Sequence, residues 1–196
     1  FRKMMLAMSK DIRVILIKLA DRMHNMRTLQ YVPPDKQKRI AQQTMDIFVP
    51  LANRLGLFVI KRELEDLSLL YIHEKVYREI EENLAATSEQ REQYVHEVID
   101  IMEQQLQEFG IRAAIMGRPK HIHSIYSKML TQNLNFKQIF DLTAFRIIVA
   151  SRKECYEALG VIHAIWKPVP GRFKDYISLP KANMYQSLHT TVVGPG

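Results

Sequence analysis

Ala144-Phe145-Arg146-Ile147-Ile148-Val149 is a short, β-branched, mostly apolar run. Such residues suit a pleated surface covered on both sides, so the run predicts a central strand. Downstream, residues 152–165 fit a helix and 188–193 fit a second strand. A loop rich in Pro, Gly, Lys and Arg lies between them, over 167–183. Upstream, 111–116 predicts another short strand, and Arg118-Pro119 predicts a helix start with proline in its first turn. That helix would bury Ile122, Ile125, Tyr126 and Met129. Strands alternating with helices predict an α/β or α+β sheet domain in this half of the chain.

The first 111 residues read as helices. Ile12, Leu16, Leu19, Met23 and Met26 recur at helical spacing and predict a helix over about 9–29. Val32-Pro33-Pro34-Asp35 ends it, because proline disfavours α geometry in the residue before it. Ile40, Met45, Ile47, Phe48 and Leu51 resume the pattern, with a kink or boundary at Pro50 and a further break at Gly56. Leu64, Leu67 and Tyr71 follow it. A helix near 89–109 would turn Tyr94, Val98, Ile101 and Leu106 inward and end at Gly110.

Of 196 residues, 47% are hydrophobic and only 7 are Gly and 8 Pro, which excludes a disordered tail or a collagen-like repeat. No apolar run approaches the ~18–20 residues of a membrane span, which predicts a soluble protein. The single Cys155 excludes an internal disulfide framework and a cysteine-based zinc finger, and it fits a reducing cytosol. Phe1 in first place, with no signal-peptide pattern after it, predicts a piece cut from a longer protein. The net charge of +7 is unevenly spread: residues 1–111 carry 16 Lys+Arg against 17 Asp+Glu, and 112–196 carry 12 against 4. The basic C-terminal part predicts an anionic partner, nucleic acid or nucleotide phosphate.

Three places could carry chemistry. Asp141, just before the predicted strand, is one of few acids in a basic region; it is either a magnesium ligand beside phosphates or a structural partner of a nearby cation. If 118–128 is helical, Lys120, Ser124 and Lys128 share one face, with Arg118 at a helix start that favours phosphate; a solvated basic face is the alternative. In the loop that follows the second helix, Tyr185 offers a stacking face, Asn183 an amide for base edges, and Lys181 and His189 charge for phosphate. An RNA-binding loop would look the same. There is no Gly-x-x-x-x-Gly-Lys-Ser/Thr sequence, which argues against a Walker-type NTPase.

Residues 117–129, 141–149, 172–176 and 181–190 resemble the synthetase domain of the RelA/SpoT family, and 19–29 resemble the end of that family's HD-type hydrolase domain. The resemblance implies an α+β chain. Residues 1–52 would be the closing helices of the hydrolase domain, and 53–196 a nucleotidyltransferase-like domain with a mixed sheet flanked by helices. Arg118, Lys120, Ser124 and Lys128 would then contact ATP, while Lys181, Asn183, Tyr185 and His189 would receive the guanine nucleotide. Asp141 would hold Mg²⁺, with Arg172 and Lys174 beside the reacting phosphates in the basic form of a motif that bifunctional members carry. In the hydrolase part, Asp21 would be the last Mn²⁺ ligand, and Asn25 and Thr28 would touch nucleotide.

The implied activities are pyrophosphate transfer from ATP to the 3′-hydroxyl of GDP or GTP, giving ppGpp or pppGpp, and removal of that 3′-pyrophosphate. Both belong to the stringent response in the cytoplasm; any ribosome association would run through regions not present here. The remaining manganese ligands should precede residue 1 and a second acid should follow residue 196. The expectation is therefore that this piece alone turns over neither reaction. A guanine-nucleotide-binding module without catalysis, or an RNA-binding domain, is the alternative.

Overall fold

A computed structural model describes residues 11–139 and 143–195. These divide into two compact units, one reaching to Glu82 and including His121–Phe136, the other Asn83–Lys120 with the remainder of the C-terminal part. The class is α+β, mostly helical with small antiparallel pairs of strands.

In the first unit, α1 (Ile12–Arg27) starts at Asp11, whose carboxylate accepts the Arg13 N–H at 2.9 Å. This is the side-chain cap that an aspartate supplies to the unpaired first-turn amides. Its stripe of Leu19, Met23 and Met26 is buried. α2 (Pro34–Gln43) begins on the proline expected to break the preceding helix. A π-helical turn, Thr44–Phe48, then leads into α3 (Val49–Arg54). Pro50 has no N–H to give, and the chain meets that boundary by widening the turn, with the Val49 N–H reaching back to the Thr44 carbonyl. α4 (Phe58–Ile72) packs Leu64 into the core formed by Leu19, Met26 and Phe48. α5 (Glu74–Ala86) follows.

In the second unit, α6 (Ser88–Glu108) buries Val98, Met102 and Leu106, with Tyr94 and Ile101 half-buried. Gly110, at φ +72°, closes it: its N–H meets the Gln107 carbonyl, and the Ile111 N–H meets that of Leu106. Both are the bonds of a helix end that needs a left-handed residue, and Leu106 and Ile111 share one core cluster.

β1 is Ala114–Pro119, three residues later than expected, and it contains the Arg118-Pro119 pair that the sequence reading put at a helix start. Arg118 pairs with Ala144 and Pro119 with Thr143 on β2 (Thr143–Ile148). A residue before proline is pushed to extended geometry, and here the ladder uses that preference. The helix, α7 (Ile122–Gln132), starts only after His121, in the first unit. Lys120 therefore precedes it, and the three-residue ladder of Lys120, Ser124 and Lys128 on one helical face does not form.

β2 also departs from the central strand expected. Among the described residues it pairs only with β1, antiparallel, and its burial alternates. Phe145 and Ile147 pack on α6 and α8 (Arg152–Ile165), while Ala144, Arg146 and Ile148 face outward. The run reads as mostly apolar because its outward residues are apolar except for Arg146. Ser151 caps α8 by accepting the Glu154 N–H, and Glu154 reaches back to the Ala150 N–H. The strand expected over 188–193 shortens to β4 (Leu188–His189), paired with β3 (Lys174–Asp175), plus a single bridge between Pro168 and Val192. Among the described residues no strand pairing is parallel, and no helix is long and apolar enough to cross a membrane.

Candidate functional site

The basic loop of the second unit is built from two turns. Val169-Pro170-Gly171-Arg172 closes with the Arg172 N–H on the Val169 carbonyl and Gly171 at φ +73°. Proline then glycine at the two central positions is what that turn requires. The second turn, at 181–185, has the Met184 N–H on the Lys181 carbonyl at 2.8 Å and the Lys181 N–H on the Tyr185 carbonyl at 3.2 Å. Met184 takes the left-handed position at φ +62°, and the Asn183 side-chain oxygen accepts the Tyr185 N–H at 3.2 Å.

These turns bring Lys181, Asn183, Tyr185 and His189 together. The Tyr185 hydroxyl and His189 Nε2 are 2.9 Å apart. The Tyr185 and His189 rings meet edge-on at 5.7 Å, and His189 meets Tyr176 at 5.3 Å. Lys181 Nζ lies 4.5 Å from the Tyr176 ring centroid and 5.2 Å from that of Tyr185. Lys174 is the register partner of His189 across β3–β4. Burial, then the charges of Lys181, Lys174 and Arg146, holds the His189 imidazole below its usual range, which favours the neutral ring beside the Tyr185 hydroxyl. The result is an aromatic surface surrounded by cations, suited to a base carrying phosphates.

Asp175 anchors this surface. It accepts the Ile177 and Ser178 N–H groups at 2.9 Å each, along with the Ser178 and Tyr156 hydroxyls. The Ser178 amide leads in holding its carboxyl below the ordinary value, with burial opposing and the Ser178 hydroxyl, the Tyr156 hydroxyl and the Ile177 amide adding to it. Tyr176, Tyr156 and Arg146 were not singled out in the sequence reading. Alternation along β2 is the signal for Arg146, and only the fold brings Tyr156 to Asp175.

The other expected residues are more dispersed. Arg172 is exposed after its turn. Arg118 shares the outward face of the β1–β2 pair with Arg146, since Met116 pairs with Arg146 and Arg118 with Ala144. Lys120 follows β1, whereas Ser124 and Lys128 lie one turn apart on α7. Asp141 lies outside the described residues. Asp21 and Asn25 are exposed on α1, and the Thr28 hydroxyl donates to the His24 carbonyl at 3.0 Å. Among the described residues, Asp21 belongs to no cluster of three metal-ligand side chains.

The first unit holds a second polar cluster, which the sequence reading missed. Glu65 on α4 is 5% exposed, and its carboxylate meets Lys61 Nζ at 2.6 Å and His121 Nε2 at 3.1 Å. His123 Nδ1 stands 3.7 Å from the other carboxylate contact atom, Oε1. Asp66 accepts the His123 backbone N–H at 2.7 Å, and the Ser124 hydroxyl is 2.9 Å from His121 Nδ1. Burial pushes the Glu65 carboxyl up, but hydrogen bonds from His121 and Lys61 outweigh it and leave the group below its ordinary value. Burial raises Asp66 and lowers His123. His-x-His at the helix start is a signal the sequence carries; its partner 56 residues earlier is not.

Residues 117–196 match a region found in RelA/SpoT proteins, and residues 1–58 match an HD domain. The chain is 54% identical to the GTP pyrophosphokinase of Myxococcus xanthus, over 100% of this chain and 26% of that protein. It is 55% identical to a probable guanosine-3′,5′-bis(diphosphate) 3′-pyrophosphohydrolase of Synechocystis, over 99% of this chain and 26% of the relative. Identity to the bifunctional (p)ppGpp synthase/hydrolase SpoT of Escherichia coli is 51%, over 100% of this chain and 28% of the relative. The chain thus spans about a quarter of the length of these curated relatives. The HD domain match and the His/His/Glu cluster both point to divalent-metal use. With an HD-type segment at its start, the RelA/SpoT region at its end, and half or more of its residues identical across all of it, the chain belongs to the RelA/SpoT family.

Proposed function

We propose that this chain carries the nucleotide-handling residues of a (p)ppGpp synthetase/hydrolase. The synthetic reaction is transfer of pyrophosphate from ATP to the 3′-hydroxyl of GDP or GTP, and the opposing one is hydrolysis of the 3′-pyrophosphate. The observation that carries this reading is the convergence of Lys181, Tyr185 and His189 on one surface within the segment that matches RelA/SpoT proteins. Tyr185 stacks on guanine, Asn183 holds the turn that presents it, and Lys181 and neutral His189 approach the phosphates of the acceptor. Arg172 and Lys174 offset negative charge as it moves toward the leaving group; in phosphoryl-type transfer most of the rate comes from such positioning and neutralisation. Arg118, Lys120, Ser124 and Lys128 hold ATP. Asp141 is the Mg²⁺ ligand of this reading, and the ion when bound would neutralise phosphate charge. Asp21 and Asn25 on α1, with Thr28 just beyond its end, belong to the Mn²⁺-dependent hydrolytic side. The functional division at 52/53 is part of the same proposal, as is a cytoplasmic setting.

Equilibrium binding of GDP, ADP and a single-stranded RNA to the chain at two salt concentrations tests the reading. GDP should bind more tightly than ADP, with a modest salt effect. RNA binding stronger than GDP binding, falling steeply with salt as counterion release demands, would replace this reading with an RNA-binding one.

A further inference from the structure

We propose that Glu65, His121 and His123 form a Zn²⁺ site that staples the start of α7 to α4. One ligand atom from each residue lies within 4.8 Å of the other two. Ligands at ~2.0–2.2 Å from a tetrahedral Zn²⁺ stand about 3.3 Å from one another. His121 Nε2 stands 3.1 Å from Glu65 Oε2 and His123 Nδ1 stands 3.7 Å from Glu65 Oε1, on either side of that value, so each histidine faces one oxygen of the carboxylate. The longer distance exceeds hydrogen-bond length, so two groups facing each other across it are spaced for a shared ion and not for a direct bond.

The donor set selects the ion. Two imidazoles and one carboxylate suit Zn²⁺, whereas Mg²⁺ prefers oxygen ligands alone. Burial favours it too: Glu65, His121 and His123 side chains are 7%, 14% and 21% exposed, enough to exclude most water while leaving an entry path. A fourth position is left for water. The Asp66 carboxylate takes the His123 backbone N–H in the first turn of α7, where His121 is the extended residue ahead of the helix, and so holds the two histidines at the helix start.

Lys61 is the competitor. Its ammonium sits 2.6 Å from Glu65 and must turn away when the ion enters, and at 25% exposure it can do so into solvent. The proposal therefore makes two opposite demands. Removing a ligand must weaken the ion, and removing Lys61 must strengthen it. A purely structural ion-pair network makes neither demand. The ligand set includes neither Asp21 nor Asp141, so this site stands whether or not the synthetase and hydrolase assignments do.

The test uses the chain stripped with a chelator and titrated with Zn²⁺ by calorimetry, and with Co²⁺ by visible absorbance. One ion per chain is expected, with the intense bands of a tetrahedral cobalt site. His123→Ala and Glu65→Gln should each weaken binding by ~100-fold or more, since each removes one of three protein ligands. Lys61→Met should tighten it, and circular dichroism reports whether each variant is folded. Lack of stoichiometric binding, or binding unchanged in both His123→Ala and Lys61→Met, overturns the proposal. So does loss of the ion in Asp21→Asn with the Glu65→Gln variant unaffected.

Discussion

Tyr185 offers the sharpest test of the aromatic surface, because its ring and its hydroxyl have separable roles. Tyr185→Phe removes only the 2.9 Å contact with His189 Nε2. That is a half-exposed neutral hydrogen bond, with a net value of ~0.5–1.5 kcal/mol. Tyr185→Ala also removes the edge contacts to Tyr176 and His189 and the Lys181 cation–π contact at 5.2 Å. With those goes any face on which a base can stack, worth ~1–3 kcal/mol, or about 5- to 150-fold in affinity. Calorimetric titration of GDP and ATP against both variants should show the full loss for GDP in Tyr185→Ala. Tyr185→Phe should lose less than about tenfold, the equivalent of one hydrogen bond. ATP should change little in either, because its proposed contacts at Arg118, Lys120, Ser124 and Lys128 involve none of these groups. Near-ultraviolet circular dichroism checks that the loop keeps its fold. Equal losses for GDP and ATP, or a Phe variant as weak as the Ala variant, would refute stacking and leave Tyr185 as a prop for its own loop.

Three further outcomes follow from the geometry. A methyl added at Gly117 would meet the stiff side chain of Val95 well inside van der Waals contact, so Gly117→Ala should destabilise the chain by about 1–3 kcal/mol in urea unfolding. His189 has a native pKa below its ordinary 6.5, so below pH 6.5 the unfolded chain takes the proton first. Its contribution to stability is full above that pH and declines as pH falls below it; His189→Gln should flatten this decline on the acid side of 6.5, read as the difference in urea midpoint. A midpoint difference that does not vary with pH would contradict it. Asp175→Ala should release Tyr156 and Ser178 and expose the loop around 170–180 to limited proteolysis. An unchanged digestion pattern would show that the loop is held by its other contacts.

Periodicity and punctuation carried most of the fold. The apolar stripe of α1, the proline break before α2 and the extent of α8 over 152–165 are local effects, and local effects are legible in sequence. So was the end of α6 at Gly110, where only a residue tolerant of positive φ closes the helix well. Arg118-Pro119 was misread because proline suits both a helix's first turn and an extended residue pair, and the choice was made by β2, some 25 residues away. The Ala144–Val149 run suggested a strand covered on both faces, yet burial depends on what packs there, and only one face meets α6 and α8.

Residue identity and family motif thus nominate the groups expected to bear chemistry, Lys181, Asn183, Tyr185 and His189 among them. Tertiary structure alone decided which of them meet and in what state. It placed Tyr176 edge-on to His189, brought the charge of Arg146 to bear on that imidazole, and delivered Glu65 to two histidines 56 and 58 residues further on. The physical reason is range. Propensity, capping and turn chemistry act over a few residues and so are written consecutively. A desolvated charge or a converging set of ligands exists only once long-range packing has excluded water and closed the distance.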